Sequence, residues 1–324
     1  MLWPGGIRQR SLKSSMNKKV ILITNDVEHT SIIHGRLTEN AGNLVSSQGM
    51  PRLLDLYDKY QVNSVFFFTG AIAKSHPETV KAAHERGHEV ACHGLSHESK
   101  HAFDLLPLQD QIRHLREAKA ILEDLSGEKV VSFRAPALRV NGDTALALAK
   151  TGFEIDSSIA SQRFDMFFSH GSSEKIKWLF SPRGIYQTEP ENLFKKGNGP
   201  IIEVPVSAMW FPYIGTTLRI FPRTTRLLRY LLNFEAKYFN RPINFLTHPN
   251  EFIEEELEED NKVERRGSNI ISYLLADYLR SKIKMKNLGL QGLKLLEEEL
   301  RFFKRADSEF MSIKNFVKRN FKTQ

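Results

Sequence analysis

Seven ionisable residues that lie within or just after short apolar segments are the candidates for chemistry in this chain. They are Asp26, Glu28, His93, His97, Arg134, Asp156 and His248. Imidazole and carboxylate groups bind divalent metals, and the same groups act as general acids and bases. A set of these types can hold one metal ion and still leave other groups to move protons.

His93 and His97 form an HGLSH pair. A separation of four residues places two imidazoles on the same side of a helical turn, where they can bind one divalent metal. A pair of this kind in isolation is more often solvated or packed. This pair follows a buried strand and converges with two carboxylates, and so the sequence favours a metal site.

Asp26 and Glu28 are two positions apart, so in extended backbone both side chains project to one face of the sheet. One carboxylate can complete a two-histidine, one-carboxylate metal site while its neighbour stays off the metal as a base. A capped strand end would explain either acid alone. Two acids beside a buried strand need a nearby cation, which the metal supplies.

Seven short apolar segments are the elements that must position these residues. They are residues 20–25, 64–70, 89–94, 130–136, 153–159, 201–207 and 243–249. Helical patterns separate the segments, which predicts βα units around a parallel sheet. Catalytic groups of parallel α/β folds gather beyond the carboxyl ends of the strands, where all seven candidates are expected to lie.

Two helices have recognisable ends. Ser75, Pro77 and Glu78 predict a capping box at the start of one helix, and Gly87 is expected to end it. A second helix is predicted over residues 109–125. Both are expected to serve as scaffold.

The C-terminal third shows a change in composition. Residues 251–266 are strongly charged, which is typical of a solvated helix or loop, with a lid over the site as the alternative. Residues 293–321 predict a helix, a short strand and a closing helix. No repeat or linker divides the chain, so we expect one domain over residues 18–324 and a disordered tail or start-site artefact over residues 1–17.

The composition, with 41% apolar and 26% charged residues, is that of a globular protein. The sequence contains no uncharged apolar window of about 18 residues that would predict a membrane span. No export signal is readable either, so a cytoplasmic location is expected.

Cys92 is the single cysteine, fits a reducing compartment and receives no role. The net charge of +8 suits a phosphate-bearing substrate or peripheral membrane contact, whereas nucleic-acid binding would require basic residues interleaved with exposed aromatic residues.

Five motifs in order carry a family resemblance. They are NDVEH, GHEVACHGLSHE, FRAPALRV, DSS and LTHPNEF. Together they resemble the successive motifs of the polysaccharide deacetylases of the NodB-homology type, over about residues 18–251. The resemblance implies a distorted (β/α) barrel of seven strands and metal-dependent hydrolysis of an N-acetyl group on a sugar.

The first motif departs from the commonest family pattern, in which two adjacent aspartates supply the base and a metal ligand. Val27 occupies the second of those positions. NDVEH resembles instead a branch with two acids around a spacer, which implies Asp26 as the base and Glu28 as the ligand beside His93 and His97. The reverse assignment, with Asp26 as the ligand, stays open.

The resemblance also implies roles for the remaining residues. Arg134 would pair with Asp26, with direct substrate contact as the alternative to a structural ion pair. His248 would be the general acid, with a capped strand end as the alternative. Asp156 would orient His248, with a structural cap of its own loop as the alternative. The cofactor would be one divalent metal ion, Zn²⁺ first, with Co²⁺, Mn²⁺ or Ni²⁺ as alternatives.

Aromatic residues after the sixth segment offer faces that could stack on a sugar ring. Trp210 and Tyr213 are the candidates for substrate contact, with core packing as the alternative.

Three other functions compete with deacetylation of a glycan. An amide hydrolase acting on a small nitrogenous metabolite would use the same metal site in a more closed cavity. A non-catalytic glycan-binding relic of the fold is disfavoured by the intact acids and histidines. A nucleic-acid-binding protein ranks last, because only the net charge supports it.

Overall fold

The computed structural model describes residues 18–163, 173–256 and 283–321. The tail or start-site artefact expected over residues 1–17 lies outside these ranges. Residues 257–266, which form most of the expected solvated segment or lid, also lie outside them.

Fourteen strands occur in the described residues. They are β1 (Lys19–Val27), β2 (Thr30–Ser31), β3 (Arg36–Leu37), β4 (Val65–Phe68), β5 (Glu89–Cys92), β6 (Ser132–Phe133), β7 (Ile155–Asp156), β8 (Tyr186–Glu189), β9 (Asn192–Lys196), β10 (Ile202–Glu203), β11 (Ala208–Met209), β12 (Phe211–Pro212), β13 (Ile243–Thr247) and β14 (Ser308–Phe310). Each of the seven apolar segments of the sequence overlaps one strand of the main sheet, and so the seven predicted strands are confirmed.

Those seven strands pair in parallel in the order β13-β1-β4-β5-β6-β7-β10. The chain beyond β10 then reaches β13, where the Ser207 N–H donates to the Asn244 carbonyl at 3.0 Å. This contact joins the two ends of the order, so the α/β fold is the expected distorted seven-stranded barrel. The hairpin of β8 and β9 extends from β10 in antiparallel fashion, and β14 pairs with the start of β1.

Ten α-helices lie within the described ranges. They are α1 (Glu39–Leu44), α2 (Met50–Tyr60), α3 (Gly70–Ser75), α4 (Pro77–Glu85), α5 (Leu108–Ser126), α6 (Thr144–Lys150), α7 (Gly215–Ile220), α8 (Pro222–Phe239), α9 (Leu290–Arg305) and α10 (Ile313–Asn320). The predicted helix over residues 109–125 is confirmed as α5, and the predicted helix, strand and helix at the C-terminus are confirmed as α9, β14 and α10.

The start of α4 differs from the sequence prediction. Ser75 is the last residue of α3, and its hydroxyl donates to the Ala71 carbonyl at 3.2 Å. His76 is the N-cap of α4, and Glu78 accepts instead from the Ser46 hydroxyl. The predicted capping box is therefore wrong. The residue before a proline disfavours helical backbone angles, so His76 and not Ser75 separates the two helices.

The interior of the barrel is apolar at one end and polar at the other. Leu22 and Phe67 belong to an apolar cluster that also includes residues of α10, such as Phe316. Side chains alternate along a strand, so Thr24 and Asp26 follow Leu22 on the same face. The apolar layers thus end where the polar residues begin, at the carboxyl ends of the strands.

Asn244 of β13 connects this strand to the chain that follows β7 and β10, where the barrel closes. Its amide donates to the Val204 and Pro205 carbonyls and to the Ser157 hydroxyl, at 3.1–3.2 Å, and its oxygen accepts from Thr24 at 3.2 Å. The side chain is wholly buried.

We expect Asn244→Ala to lower the free energy of unfolding by about 2–3 kcal/mol, because it strands buried carbonyl groups without donors. Urea denaturation followed by circular dichroism measures the change. Asn198→Ala, at an exposed position, is the matched control and should change the free energy by less than about 0.5 kcal/mol. Equal effects of the two substitutions would show that Asn244 does not hold the barrel closed.

Candidate metal centre and proton-transfer site

The HGLSH segment directly follows β5 as a loop and not as a helical turn. Gly94 has a φ of +72°, a conformation that ends the strand and excludes a right-handed helix there. The loop carbonyls of Gly94 and Leu95 accept from the first free N–H groups of α3, at 2.9 and 2.8 Å. The helical arrangement expected for His93 and His97 is therefore wrong, although the loop still holds the two imidazoles with their centroids 5.9 Å apart.

Glu28, His93 and His97 come together at the carboxyl ends of β1 and β5. One potential ligand atom from each lies within 4.8 Å of the others. The Glu28 Oε2 atom is 3.2 Å from His97 Nε2. Among the described residues, no other group of three or more histidine, cysteine or acidic side chains meets this geometry.

Two features of this cluster fit a divalent metal. The Nδ1 atom of His93 lies 2.8 Å from the Arg134 carbonyl, so Nδ1 carries the proton and Nε2 presents a lone pair toward the cluster. Glu28 Oε2 is buried without a hydrogen-bond donor in the described part of the chain, which a cation would compensate. Two imidazoles and one carboxylate are a common zinc ligand set.

Asp26 lies beside this cluster, and Arg134 holds it. The Asp26 Oδ1 atom accepts from Arg134 Nη1 at 2.8 Å, and Oδ2 lies 3.7 Å from His93 Nε2 and 3.9 Å from His248 Nε2. Burial opposes ionisation of this carboxyl, but the charge of Arg134, together with that of His248, outweighs it and lowers its pKa. Asp26 is therefore an ionised carboxylate with one oxygen directed at the cluster.

His248 follows β13 at the opposite side of Asp26. Its Nδ1 atom lies 3.8 Å from Glu251 Oε2, and its side chain is 25% exposed. Burial disfavours the charged imidazole, yet Glu251, Asp26 and Glu28 overcome this and raise the pKa of His248 to about 9. The imidazole is thus protonated at neutral pH, with Nε2 toward Asp26.

Glu251 is held by its own set of donors. Its carboxylate accepts from Arg219, Thr216 and Thr247 at 3.1, 2.9 and 2.7 Å. Burial disfavours its charge, but Arg219 and His248 lower its pKa. The expectation that residues 251–266 start a solvated element is wrong at this position, because Glu251 is 1% exposed.

Sequence reasoning missed Glu251, and a local signal for it existed. Pro249–Phe252 forms a short 3-10 helix whose N-cap is His248, and Glu251 occupies its third position. Glu251 accepts from the His248 N–H at 3.3 Å, as in a capping box. An acid three residues after a histidine, with an intervening proline, therefore indicated this contact.

Asp156 does not orient His248. Its side chain is buried and accepts from the Ser158 hydroxyl at 2.6 Å, and its second partner is the Glu203 carboxyl. β7 and β10 pair with Asp156 directly opposite Glu203. The expected role of Asp156 is wrong because this register directs its carboxyl to a neighbouring strand, while Glu251 supplies the acid beside His248.

The Asp156–Glu203 pair is a second group of buried acids. Burial raises the pKa of Asp156, and burial together with Asp156 raises the pKa of Glu203 well above its usual value. Glu203 also accepts from the Ile159 N–H at 3.1 Å. Two adjacent buried carboxyls cannot both ionise, so they share a proton.

Of the two aromatic candidates, Tyr213 is wholly buried. Its hydroxyl donates to Glu299, and its ring contacts Phe245 edge-on with centroids 4.8 Å apart. Substrate contact is therefore wrong for Tyr213, which packs in the core. Trp210 is 63% exposed and has a left-handed φ of +64°, so its indole remains a candidate for contact.

Fold and site together define an α/β barrel protein with a histidine–carboxylate cluster, suited to a metal ion, at the carboxyl ends of its strands. Residues 13–155 match the family model named polysaccharide deacetylase. This segment contains the first three motifs of the sequence, whereas His248 lies beyond it. The resemblance of this chain to the polysaccharide deacetylase family is thereby confirmed.

Two curated relatives match a little over half of the chain. A peptidoglycan deacetylase of Helicobacter pylori is 30% identical over 170 residues, which are 52% of this chain and 56% of that protein. A peptidoglycan deacetylase-like protein of Gibberella zeae is 30% identical over 188 residues, which are 57% of this chain and 54% of that protein. The chain thus spans about half the length of the curated relatives it matches.

Solved structures share the fold over most of the chain. A Mycobacterium smegmatis protein assigned to the polysaccharide deacetylases superposes with a TM-score of 0.59 at 17% identity, over 99% of this chain and 92% of that one. An allantoinase superposes with a TM-score of 0.55 at 16% identity, over 93% and 90% of the two chains. At these identities the likeness describes the fold alone. None of the helices in the described ranges is long and apolar enough to cross a bilayer.

The shared proton of Asp156 and Glu203 predicts a pH-dependent stability. The native pair retains a proton that unfolded carboxyls release above about pH 4. Stability from this pair is therefore present at low pH and lost as the pH rises through the raised pKa. Glu203→Gln should remove this loss, because its amide can donate to Asp156 and its oxygen can accept from Ile159.

Urea denaturation at pH 5 and pH 8 tests this. We expect Glu203→Gln to gain stability over the native protein at pH 8, by about 1 kcal/mol or more, and to gain less at pH 5. Glu154→Gln, at a more exposed acid, is the matched control and should follow the native pH dependence. If the stability of Glu203→Gln depends on pH as that of the native protein does, Asp156 and Glu203 do not share a proton.

Proposed function

We propose that this chain is a hydrolase that removes an N-linked acetyl group from a sugar or polysaccharide and releases acetate. The observation that carries the proposal is the cluster of Glu28, His93 and His97 with Asp26 on one side and His248 beyond it. The polysaccharide deacetylase match and the two relatives, one named a peptidoglycan deacetylase and the other peptidoglycan deacetylase-like, support the same reaction.

Glu28, His93 and His97 would hold one divalent metal ion, with Zn²⁺ as the first candidate and Co²⁺, Mn²⁺ or Ni²⁺ as alternatives. When bound, such an ion polarises a carbonyl group and lowers the pKa of water toward about 7. The hydrogen bond from His93 to the Arg134 carbonyl fixes the tautomer that leaves Nε2 free for this purpose.

Asp26 acts as the general base. Its free oxygen takes a proton from the attacking water as the new bond to the acetyl carbon forms. Arg134 keeps the carboxylate ionised and directed, since one of its nitrogens occupies the other oxygen. In this arrangement Arg134 is a positioning residue.

His248 acts as the general acid. An amine leaves only after its nitrogen receives a proton, and the protonated imidazole supplies it as the carbon–nitrogen bond breaks. The products are acetate and the free amino sugar. Glu251, held by Arg219, keeps His248 charged and oriented before this transfer.

Several finer assignments accompany the proposal. Trp210 is a candidate for stacking on the sugar ring because its indole is exposed. An N-acetylated saccharide as substrate, a single domain, a cytoplasmic location and peripheral membrane contact remain predictions from the sequence. An amide hydrolase for a small nitrogenous metabolite would share the site. The substrates to be tested below therefore include cyclic ureides and simple acetamides beside N-acetylated saccharides.

Acetate release from N-acetylated saccharides tests the reaction. His93→Ala or a chelator should abolish both metal binding and acetate release, because the substitution removes one ligand and the chelator removes the ion itself. His84→Ala, at a histidine of α4 away from the cluster, is the matched control and should retain both. Retained acetate release in metal-free protein would refute the proposal, and ring opening of a cyclic ureide without acetate release from any saccharide would favour the small-amide reaction.

Separate substitutions of the two acids distinguish ligand from base. We expect Glu28→Gln to lose metal, measured by titration calorimetry and metal content. Asp26→Asn should retain metal while acetate release falls by about a hundredfold or more, because general-base catalysis is lost. Loss of metal from Asp26→Asn alone would reverse the assignment.

Glu251→Gln should shift the pH profile of kcat/KM. Without the carboxylate, the pKa of His248 falls from about 9 toward its ordinary value, so the alkaline limb moves to lower pH. Activity at pH 8 is expected to fall about tenfold or more with little change in KM. Glu254→Gln, at a largely exposed acid, is the control, and an unmoved alkaline limb in Glu251→Gln would exclude this role.

A further inference from the structure

The outer face of α8 carries an exposed apolar surface. Of the thirteen large hydrophobic side chains exposed among the described residues, seven lie within residues 221–239. They are Phe221, Leu227, Tyr230, Leu231, Phe234, Tyr238 and Phe239. A concentration of this size on one element marks an interaction surface.

The positions along α8 follow helical periodicity. Five of the exposed residues, which we call the α8 stripe, recur at separations of three and four. They are Leu227, Tyr230, Leu231, Phe234 and Tyr238. The opposite face, with Leu228 and Leu232, belongs to the apolar core. One face therefore anchors the helix, and the stripe lies along the outer side of a helix about 27 Å long.

Charges flank the α8 stripe with a single sign. Arg223 lies at its start and Lys237 near its end, and both are exposed. Within the described residues neither forms a salt bridge. Glu235 is the one acid in the sequence of α8, and Arg183 and Arg241 neutralise it at 2.5 and 3.1 Å.

We propose that the α8 stripe is a docking surface for an anionic lipid bilayer, with α8 lying parallel to the membrane plane. Leucine and phenylalanine side chains would enter the boundary between headgroups and acyl chains, and the two tyrosines would place their hydroxyls among the headgroups. Arg223 and Lys237 would contact anionic headgroups at the two ends. This surface is separate from the proposed catalytic residues, so it does not depend on the proposed function.

A second copy of this chain fits the stripe less well. A two-fold axis perpendicular to α8 would pair the helices of two copies in antiparallel fashion and bring Arg223 of one copy toward Lys237 of the other. A two-fold axis along α8 would instead bring each cation toward the same cation of the other copy. No acid on the exposed face would compensate these like charges. An anionic surface satisfies both cations and the apolar residues together.

Co-sedimentation of the full chain with vesicles tests the proposal. Binding is expected to vesicles of phosphatidylglycerol and phosphatidylcholine, to be much weaker for phosphatidylcholine alone, and to fall with added salt. Arg223→Glu with Lys237→Glu should weaken the partition roughly twentyfold or more, because each cation contributes a factor of about five. Lys195→Glu, at an exposed lysine of β9, is the charge control.

Phe234→Ser should weaken binding, whereas Leu105→Ser, at an equally exposed residue outside α8, should leave it unchanged. In Phe234→Trp, fluorescence at position 234 should shift to the blue on vesicle binding and be quenched by brominated lipid. Circular dichroism confirms that each variant is folded. The proposal is overturned if anionic vesicles do not bind, if Phe234→Ser binds normally, or if that substitution instead dissociates a dimer in sedimentation velocity.

Discussion

The ion pair of Arg134 and Asp26 is the interaction on which the polar end of the barrel depends. Arg134 is wholly buried, so each of its donors requires a partner within the protein. It donates to Thr24 and Asp26 of β1 and to Ser157 after β7, and its guanidinium lies 4.3 Å from the Phe67 ring. A charge in this position is stable only while all of these partners remain, because breaking a buried pair leaves an uncompensated charge.

The same arginine connects the scaffold to the candidate metal centre. Its carbonyl faces His93 Nδ1 and its side chain faces Asp26 Oδ1, so one residue sets a tautomer on one side and a charge on the other. Glu28 lies close to His93 and His97, whereas Asp26 lies between His93 and His248. Two acids only two positions apart thereby acquire different surroundings, which supports different roles for them.

Two groups of buried acids show how the neighbouring side chain decides the charge. Glu251 lies beside Arg219 and is ionised, which keeps His248 protonated. Asp156 faces Glu203 without a cation in direct contact, and the pair retains a proton. Both acids are buried, so the difference comes from the partner and not from exposure.

The sequence by itself determined the seven strands, the extent of α5 and the elements after β13 near the C-terminus, because apolar periodicity and glycine positions are local properties. It also identified the residues of the metal cluster, since they follow strands whose carboxyl ends meet at one edge. Only the tertiary structure decided that Asp156 faces Glu203, that Glu251 serves His248 and that Tyr213 is buried against Glu299. These contacts depend on strand register and on elements far apart in sequence, and the side chain of an acid or a tyrosine does not by itself indicate which neighbour the fold will bring to it.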